Sequence, residues 1–312
     1  MKKSILITGG AGYIGSMLTP SLLADGYSVT VIDNLLFNQS PLNQCCANKN
    51  FRFICGDTTN ASLMSELIPQ FDIILPLAAM VGAPACDADA FLTERVNVTA
   101  YRHIIDLLSD KQQVVFPTTN SGYGIGPADD FCTEDTPLCP VSLYGKTKVL
   151  IENELLSTGN AVTLRLATVF GMSPRMRTDL LVNNFVYKAV TDKSLVLFEE
   201  HFRRNFIHVQ DVCRTFHFAL DNYEMMRGHA FNVGLTSANL TKRELAERIK
   251  YKVPNLYIHS AAIGTDPDKR DYIVSNAKLE ALGWQPQVSL DDGIDELIKG
   301  YRFLRPGPHK NA

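Results

Sequence analysis

The sequence feature that most constrains the fold is a glycine-rich turn close to the N-terminus. An apolar run at residues 4–8 (SILIT) leads directly into GGAGYIG, in which Gly9, Gly12 and Gly15 are spaced three apart. Glycines at such positions permit a tight turn from strand to helix and a close approach of the backbone to a pyrophosphate. The first N–H groups of the helix and its positive dipole end favour a phosphate there. By itself, a glycine turn is equally compatible with an ordinary strand–helix connection.

The following strand favours a dinucleotide site. The apolar run at 28–32 ends in Asp33, eighteen residues after Gly15. An acid at this place accepts hydrogen bonds from a ribose 2′-OH and repels a 2′-phosphate. The sequence therefore predicts NAD, rather than NADP, as the cofactor.

Apolar runs alternate with helical patterns through the first 170 residues. Strands fit 4–8, 28–32, 51–55, 71–77, 113–118 and 161–168, and helices fit 61–68, 90–109 and 142–157. Nearly continuous apolar strands that alternate with helices indicate a parallel sheet covered on both faces. The pattern predicts an α/β fold, with a Rossmann-type doubly wound parallel sheet and a smaller α/β substrate domain.

The pattern changes after Gly171, and this change sets the predicted domain boundaries. Residues 1–170 and 206–234 are assigned to the NAD-binding Rossmann domain, in which 206–234 returns to the sheet. Residues 171–205 and 235–312 are assigned to a nucleotide-binding substrate domain, with helices at 242–251, 276–282 and 290–303.

Bulk composition excludes several classes of function. The chain has 312 residues and a net charge of −3, which argues against general nucleic-acid binding. No run of 18 or more apolar residues predicts a membrane span. The seven cysteines form no C-x-x-C pair, so we expect reduced thiols, a cytoplasmic protein and no metal site.

Residues 113–148 carry the side chains that can move a proton. Tyr144 and Lys148 are four residues apart, so on a helix they face the same way, about 6 Å apart. Thr119 follows an apolar run, where a parallel strand ends and ligand crevices open. A phenol has a pKa of about 10, which a neighbouring ammonium lowers. A Tyr-x-x-x-Lys pair is also common on surface helices, but here it lies downstream of a dinucleotide turn.

These motifs together resemble the extended short-chain dehydrogenases/reductases, in particular the NAD-dependent nucleotide-sugar epimerase/dehydratase family. The resemblance extends over essentially the whole chain and rests on TGGAGYIGS, DNL, GD, LAA, the Asn97 position, the Thr–Tyr–Lys set, RLATVFG, RNFIHVQDV, FNVG and KLEALGWQP.

The resemblance implies roles for individual residues. Tyr144 would be the base or acid, Lys148 would hold the nicotinamide ribose, and Thr119 would bond the reacting sugar oxygen. Asn97 would support the site behind the lysine. The implied cofactor contacts are Gly9, Gly12, Tyr13, Ile14, Gly15, Asp33, Asn34, Asp57, Thr58, Leu77, Ala78, Ala79, Asn97, Tyr144, Lys148 and Val169. The implied substrate contacts are Ser121, Thr168, Arg175, Arg177, Arg204 and Arg270. Asp57 is alternatively the N-cap of the following helix, and each arginine is alternatively a solvated surface charge.

Departures from the family pattern narrow the reaction. Where the 4,6-dehydratases of the family carry Asp and Glu after the threonine, this chain has Asn120 and Ser121. An amide and a hydroxyl are poor groups for eliminating water, so dehydration is disfavoured. Pro76 stands where many members have His, and the sequence offers no mechanistic reason for it.

The segments PLAAMVGAPAC, TTNSGYGIG and FGMSPRMRTDLLVN resemble a narrower group. This group comprises the GDP-D-glycero-α-D-manno-heptose 4-dehydrogenases of bacterial capsular heptose biosynthesis. That resemblance implies oxidation of the C4 hydroxyl of a GDP-heptose, with NADH reoxidised by 2-oxoglutarate. The alternatives are a nucleotide-sugar 4-epimerase and a non-catalytic NAD-binding protein. The family also implies a homodimer, or a larger homo-oligomer, through helices 90–109 and 142–157.

Overall fold

The computed structural model describes residues 2–127, 130–261, 270–304 and 309 of the chain. Its strands are β1 (Ser4–Thr8), β2 (Ser28–Asp33), β3 (Phe51–Cys55), β4 (Ile73–Pro76), β5 (Gln113–Thr119), β6 (Ala161–Leu166), β7 (Thr168–Phe170), β8 (Ser194–Leu197), β9 (Arg203–His208), β10 (Ala230–Val233), β11 (Asn239–Thr241) and β12 (Tyr257–Ser260).

The α-helices are α1 (Gly15–Ala24), α2 (Ala61–Leu67), α3 (Ala83–Ala88), α4 (Ala90–Glu94), α5 (Ala100–Leu107), α6 (Leu143–Ser157), α7 (Leu181–Thr191), α8 (Val209–Asp221), α9 (Tyr223–Met226), α10 (Lys242–Lys252), α11 (Ala277–Glu280) and α12 (Leu290–Gly300).

A seven-stranded parallel sheet forms the centre of the fold. Its strand order is β10-β6-β5-β4-β1-β2-β3. The chain thus winds outward from β1 in one direction and then in the other, which is the doubly wound arrangement that opens a ligand crevice at the carboxyl ends of the strands. The predicted Rossmann-type α/β fold is confirmed.

Helices cover both faces of this sheet, which explains why its strands consist mainly of apolar residues. Ile5 and Ile7 of β1 belong to the larger apolar core, whereas Leu6 between them belongs to the second core. Successive side chains of a strand point to opposite faces. A strand that is buried on both faces is therefore apolar along its centre, as Ile5, Leu6 and Ile7 are.

The chain after β6 also contributes strands to smaller sheets outside the central one. The predicted strand 161–168 is two strands: β6 lies in the central sheet, and β7 lies in a three-stranded sheet with β9 and β11. Segment 206–234 returns to the central sheet through β10, while β9 stays in the smaller sheet. β12, which the sequence patterns did not predict, pairs with β8.

The predicted helix 90–109 is interrupted. It consists of α4, a π-helical turn over Arg95–Thr99, and α5. π-helical turns are rare and are frequent at functional sites. Asn97 lies within this turn, so the interruption sets the position of a predicted site residue.

Among the residues that the structure describes, no helix is long and apolar enough to cross a membrane. The same residues contain no group of three or more His, Cys, Asp or Glu side chains arranged to hold a metal ion.

Candidate active site

Two adjoining cavities open at the carboxyl ends of the central strands. The smaller has a volume of about 280 Å³ and the larger about 480 Å³. They share the lining residues Gly9, Gly12, Leu77, Ala79, Val81 and Arg177. The glycine turn therefore lies where the two cavities meet.

The backbone of the turn fits closely against its neighbours. Gly9 has φ of 70°, and a Cβ at this position would lie 2.6 Å from the backbone N and Cα of Ala78. A Cβ at Gly15 would lie 2.5 Å from the Cα of Gly10. Both positions exclude a side chain, so the start of α1 packs closely on the turn, and Gly9, Gly12 and Gly15 line the cavities.

Asp33 ends β2 at the wall of the smaller cavity. Its carboxylate accepts hydrogen bonds from the backbone N–H of Ala11 at 3.0 Å and of Leu35 at 2.8 Å. Burial raises the pKa of Asp33, and these two hydrogen bonds oppose that effect. The two bonds fix the side chain in the position predicted for contact with a ribose.

Asp57 lies beside Asn34 in the same cavity, together with Thr58. Asn34 donates a hydrogen bond to Asp57 at 2.9 Å. The N-cap of α2 is Asn60, whose side chain accepts from the backbone N–H of Leu63, so Asp57 is not the N-cap. Burial tends to raise the pKa of Asp57, but hydrogen bonds from Thr59 and Asn34 lower it.

Arg175 lines the smaller cavity only. Its guanidinium lies 4.0 Å from the ring centroid of Phe37, and its backbone N–H donates to Ser16. The expected substrate contact by Arg175 therefore does not agree with its position, because the side chain extends to the Asp33 side of the crevice.

The Thr–Tyr–Lys set lines the larger cavity. Thr119 is the last residue of β5, and Tyr144 and Lys148 lie in the first turns of α6. Ser142 caps that helix by accepting from the backbone N–H of Gly145 at 3.1 Å. The cap starts the helix at Leu143 and so brings the phenol and the ammonium to the end of the strand that carries Thr119.

Burial dominates the acid–base behaviour of Tyr144 and Lys148. It raises the pKa of Tyr144 to about 12, while the nearby Arg177 and Arg270 act to lower it. It lowers the pKa of Lys148 to about 7, and the carboxylate of Glu152 opposes this. The Nζ atom of Lys148 lies 3.9 Å from the ring centroid of Phe116. The phenol is therefore neutral near pH 7, and a phenolate forms there only with the help of neighbouring cations.

Asn97 lies behind the lysine and lines neither cavity. Its Oδ1 accepts from the backbone N–H of Met80 at 2.8 Å, and its Nδ2 donates to the carbonyl of Met80 at 2.9 Å and to Thr147 at 3.3 Å. The π-helical turn thus joins the loop after β4 to α6. This contact supports the position of the helix that carries Lys148.

Besides Lys148, four cationic side chains of the described residues line the larger cavity. They are Arg204, Lys242, Arg270 and Arg177, which also lines the smaller cavity and is paired with Asp179. Arg204 lies 5.8 Å from the ring centroid of Tyr272 and is buried. Planar guanidinium groups suit a diphosphate.

Arg270 reaches the catalytic end of the cavity as well. It donates a hydrogen bond to the Oγ of Ser121. Ser121 in turn lies 2.8 Å from the Oγ1 of Thr119 and donates its backbone N–H to the same atom. A chain of hydrogen bonds therefore joins the substrate-side arginine to Thr119.

The two residues after Thr119 occupy different environments. Ser121 lines the larger cavity, whereas Asn120 is fully buried and lines neither cavity. Neither residue can serve as a carboxylic acid or carboxylate at the reacting sugar.

All of the predicted site residues except Asn97 line one of the two cavities. The smaller cavity contains Asn34, Asp57, Thr58 and Ala78, and the larger contains Tyr13, Ile14, Gly15, Thr168 and Val169. Sequence patterns did not indicate Phe37, Lys242 or Tyr272. Lys242 is the first residue of α10, a polar position that suggests exposure, yet it is buried in the cavity wall.

Comparison with known proteins agrees with this geometry. The NAD dependent epimerase/dehydratase family matches residues 5–234. The chain belongs to this family.

Individual members of the family match nearly the whole chain. The low-salt glycan biosynthesis protein Agl12 of Haloferax volcanii is 28% identical over 95% of this chain and 98% of its own length. A dTDP-glucose 4,6-dehydratase of Streptomyces niveus is 26% identical over 96% of this chain and 93% of its own length. The UDP-glucose 4-epimerase of Thermus thermophilus, solved with NAD, superimposes with a TM-score of 0.82 at 24% identity, covering 96% of this chain and 99% of that chain.

NAD is the cofactor of this epimerase/dehydratase family member, and the residues present fit it. The glycine turn excludes side chains where a pyrophosphate would lie, and Asp33 is fixed where a ribose hydroxyl would be bound. Lys148 is the residue that would hold the second ribose. When bound, NAD supplies a hydride acceptor to the larger cavity.

Proposed function

We propose that the protein oxidises the C4 hydroxyl of a nucleotide sugar, with NAD as hydride acceptor. The observation that carries this proposal is the presence of Thr119, Tyr144 and Lys148 in one cavity that adjoins the glycine turn. The absence of a carboxylic acid at Asn120 and Ser121 favours simple oxidation over dehydration.

The residues of the cavity would move the proton of the reaction. The hydroxyl of Thr119 positions the sugar oxygen, and Tyr144 accepts its proton as hydride leaves the carbon. Burial raises the pKa of the phenol, so the reaction depends on nearby cations to stabilise the phenolate. Arg177, Arg270 and the ammonium of Lys148 provide that positive charge.

We propose a nucleoside diphosphate as the other half of the substrate. Arg204, Arg270 and Lys242 line the larger cavity together with the Thr–Tyr–Lys set, and Arg177 lines both cavities. Their charge matches a diphosphate, and Thr168 and Ser121 line the same larger cavity. Arg175, on the Asp33 side, is assigned to the cofactor instead.

Within this class we propose GDP-D-glycero-α-D-manno-heptose as the substrate and its 4-keto form as the product. The support is the resemblance of PLAAMVGAPAC, TTNSGYGIG and the segment after Gly171 to the GDP-heptose 4-dehydrogenases. The same resemblance supports 2-oxoglutarate as the compound that reoxidises NADH. A role in capsular or other surface polysaccharide synthesis follows, and the similarity to a glycan biosynthesis protein is compatible with it.

A 4-epimerase is the second candidate, favoured by the likeness to UDP-glucose 4-epimerase. An epimerase needs the same Thr–Tyr–Lys set but returns the hydride to the other face of the ketone. A non-catalytic NAD-binding protein is a third reading, which the retention of both Tyr144 and Lys148 disfavours.

We also propose that the protein forms a homodimer through α4, α5 and α6. Phe91 on α4 is 75% exposed and Leu150 on α6 is 38% exposed, so both helices present apolar side chains to the surface. Sedimentation of the purified protein and of Phe91→Ser measures this directly.

The test of the proposed function uses purified protein, NAD and GDP-heptose, with and without 2-oxoglutarate. The expected result is a 4-keto product, whose yield exceeds the amount of NAD only when 2-oxoglutarate is present. An epimer without keto product supports the epimerase. A panel of GDP-, UDP-, dTDP- and CDP-sugars in a thermal-shift assay identifies the base, since the bound nucleotide raises the unfolding temperature.

The matched variant is Tyr144→Phe, which removes only the phenolic hydroxyl. Turnover should be lost while NAD binding is kept. Unchanged turnover would refute the assignment of Tyr144 as the base.

A further inference from the structure

Lys148 is almost completely removed from water, beside the faces of two aromatic rings. Its side chain is 3% exposed, and its Nζ atom lies 3.9 Å from the ring centroid of Phe116 and 5.5 Å from that of Tyr101. An ammonium taken out of water tends to lose its proton. A lysine that must bind a ribose as a cation therefore needs a compensating charge nearby.

Glu152 lies one helical turn beyond Lys148 on α6 and is completely buried. Its Oε1 atom accepts from Arg165 of β6, from Nε at 2.8 Å and from Nη2 at 2.7 Å. Its Oε2 atom is buried and makes no hydrogen bond within the described part of the chain. The carboxylate is therefore paired with Arg165 through one oxygen, and its other oxygen is buried without a hydrogen bond in the described part of the chain.

The arginine is itself fixed from behind. Arg165 donates through Nη1 to the hydroxyl of Tyr123 and to the carbonyl of Glu134, each at 3.0 Å. Tyr123 donates in turn to Asn232 of β10 at 2.7 Å. The carboxylate is thus anchored to the central sheet, on the same helical face as Lys148.

We propose that Glu152 is a positioning residue of this site, whose buried carboxylate keeps Lys148 in its charged form. The inference rests on the proposed function, because it concerns the lysine assigned to the nicotinamide ribose. Residues four apart on a helix are neighbours, and a charge interaction is stronger in a buried site than in water.

The other groups around Lys148 do not replace this carboxylate. Tyr144 precedes it on α6, Tyr101 faces it from α5, and the cation of Arg165 lies behind Glu152 on β6. Burial raises the pKa of both tyrosines, so they stay neutral near pH 7. Glu152 opposes the effect of burial on the pKa of Lys148.

The test compares wild-type protein with Glu152→Gln and with Glu154→Gln as the matched control. Glu154 lies on the same helix but is paired with the exposed Arg102 on the protein surface. The readout is the dissociation constant of NADH, measured by fluorescence between pH 6 and pH 9. An ammonium binds ribose hydroxyls more tightly than an amine does, so affinity should fall as pH rises through the pKa of Lys148.

In Glu152→Gln the loss of affinity should occur about one pH unit or more below that of wild type, which corresponds to about a tenfold change in the charged fraction. Glu154→Gln should follow the wild-type curve. A purely structural role for Glu152 would weaken NADH binding equally at every pH, and that result would overturn the proposal.

A second variant covers the case in which Glu152→Gln does not fold. Glu152→Asp keeps a carboxylate at this position of α6, so the loss of affinity should stay close to the pH of the wild-type transition. A loss about one pH unit or more below wild type in this variant would also overturn the proposal. NADH binding needs no turnover, so this measurement stays valid even if the protein oxidises none of the nucleotide sugars. A lack of oxidation would count against the proposed function and not against the role of Glu152.

Discussion

Replacing Lys148 by methionine should stabilise the protein while it abolishes turnover. Burial lowers the pKa of this lysine from 10.5 to about 7. Between these two pH values the unfolded chain therefore binds a proton that the folded protein does not. The folded pKa lies below the unfolded one, so stability is lost as pH falls through the range from 10.5 to about 7. Each pKa unit corresponds to about 1.4 kcal/mol, and the full cost below pH 7 approaches about 5 kcal/mol.

Methionine fills nearly the same space without the charge. We therefore expect Lys148→Met to raise the free energy of unfolding by about 3–5 kcal/mol at pH 6, with a gain that shrinks toward pH 10. The control is Lys146→Met, because Lys146 is exposed on the same helix and its replacement should change stability by less than about 0.5 kcal/mol.

Equilibrium urea unfolding at pH 6, 8 and 10 measures both variants. The reasoning is refuted if Lys148→Met is less stable than wild type at pH 6, or if its gain does not depend on pH. The first result would mean that the contact of Lys148 with Phe116 and the nearby charge of Glu152 outweigh its loss of hydration.

Three further predictions follow from the site. Asn97→Ala removes three hydrogen bonds and should lower the free energy of unfolding by about 2–3 kcal/mol, measured by urea denaturation. A change below about 0.5 kcal/mol would contradict the role of Asn97 in supporting α6. Asp33→Asn should reduce the ratio of the NADPH to the NADH dissociation constant by about tenfold, because the carboxylate no longer repels a 2′-phosphate. Fluorescence titrations measure both constants, and an unchanged ratio would count against the assignment of Asp33 to the ribose. Gly9→Ala should abolish detectable NADH binding in calorimetry, because its Cβ would lie 2.6 Å from the backbone of Ala78; wild-type affinity would show that the turn does not have this geometry.

Much of the nucleotide-binding half could be predicted from sequence because its signals are local. The glycine turn follows a buried strand, Asp33 ends the next strand, and Tyr144 and Lys148 are one helical turn apart. Each of these relations depends on spacing within a few residues and on the geometry of one strand or helix. The larger cavity then brings Thr119 to the same place, as parallel strands with a common carboxyl edge require.

Features that depend on tertiary packing were missed. Glu152 looks like an exposed helical glutamate, and only the neighbouring strand β6 makes it the buried partner of Arg165. Arg175 was expected at the substrate, but the loop after β7 directs it toward Phe37. The π-helical turn around Asn97 was also not predicted, because the sequence pattern of residues 90–109 is that of a continuous α-helix.

Oxidation at C4 is tested most directly with GDP-heptose that carries deuterium at C4. After incubation with the protein and NAD, the proposed reaction places the deuterium on the reduced cofactor and yields a 4-keto sugar without label. Tyr144→Phe should give neither product. Deuterium found on C4 of the epimerised sugar would contradict the dehydrogenase and favour the epimerase. Recovery of unchanged substrate with its deuterium in place would contradict C4 oxidation of this sugar altogether.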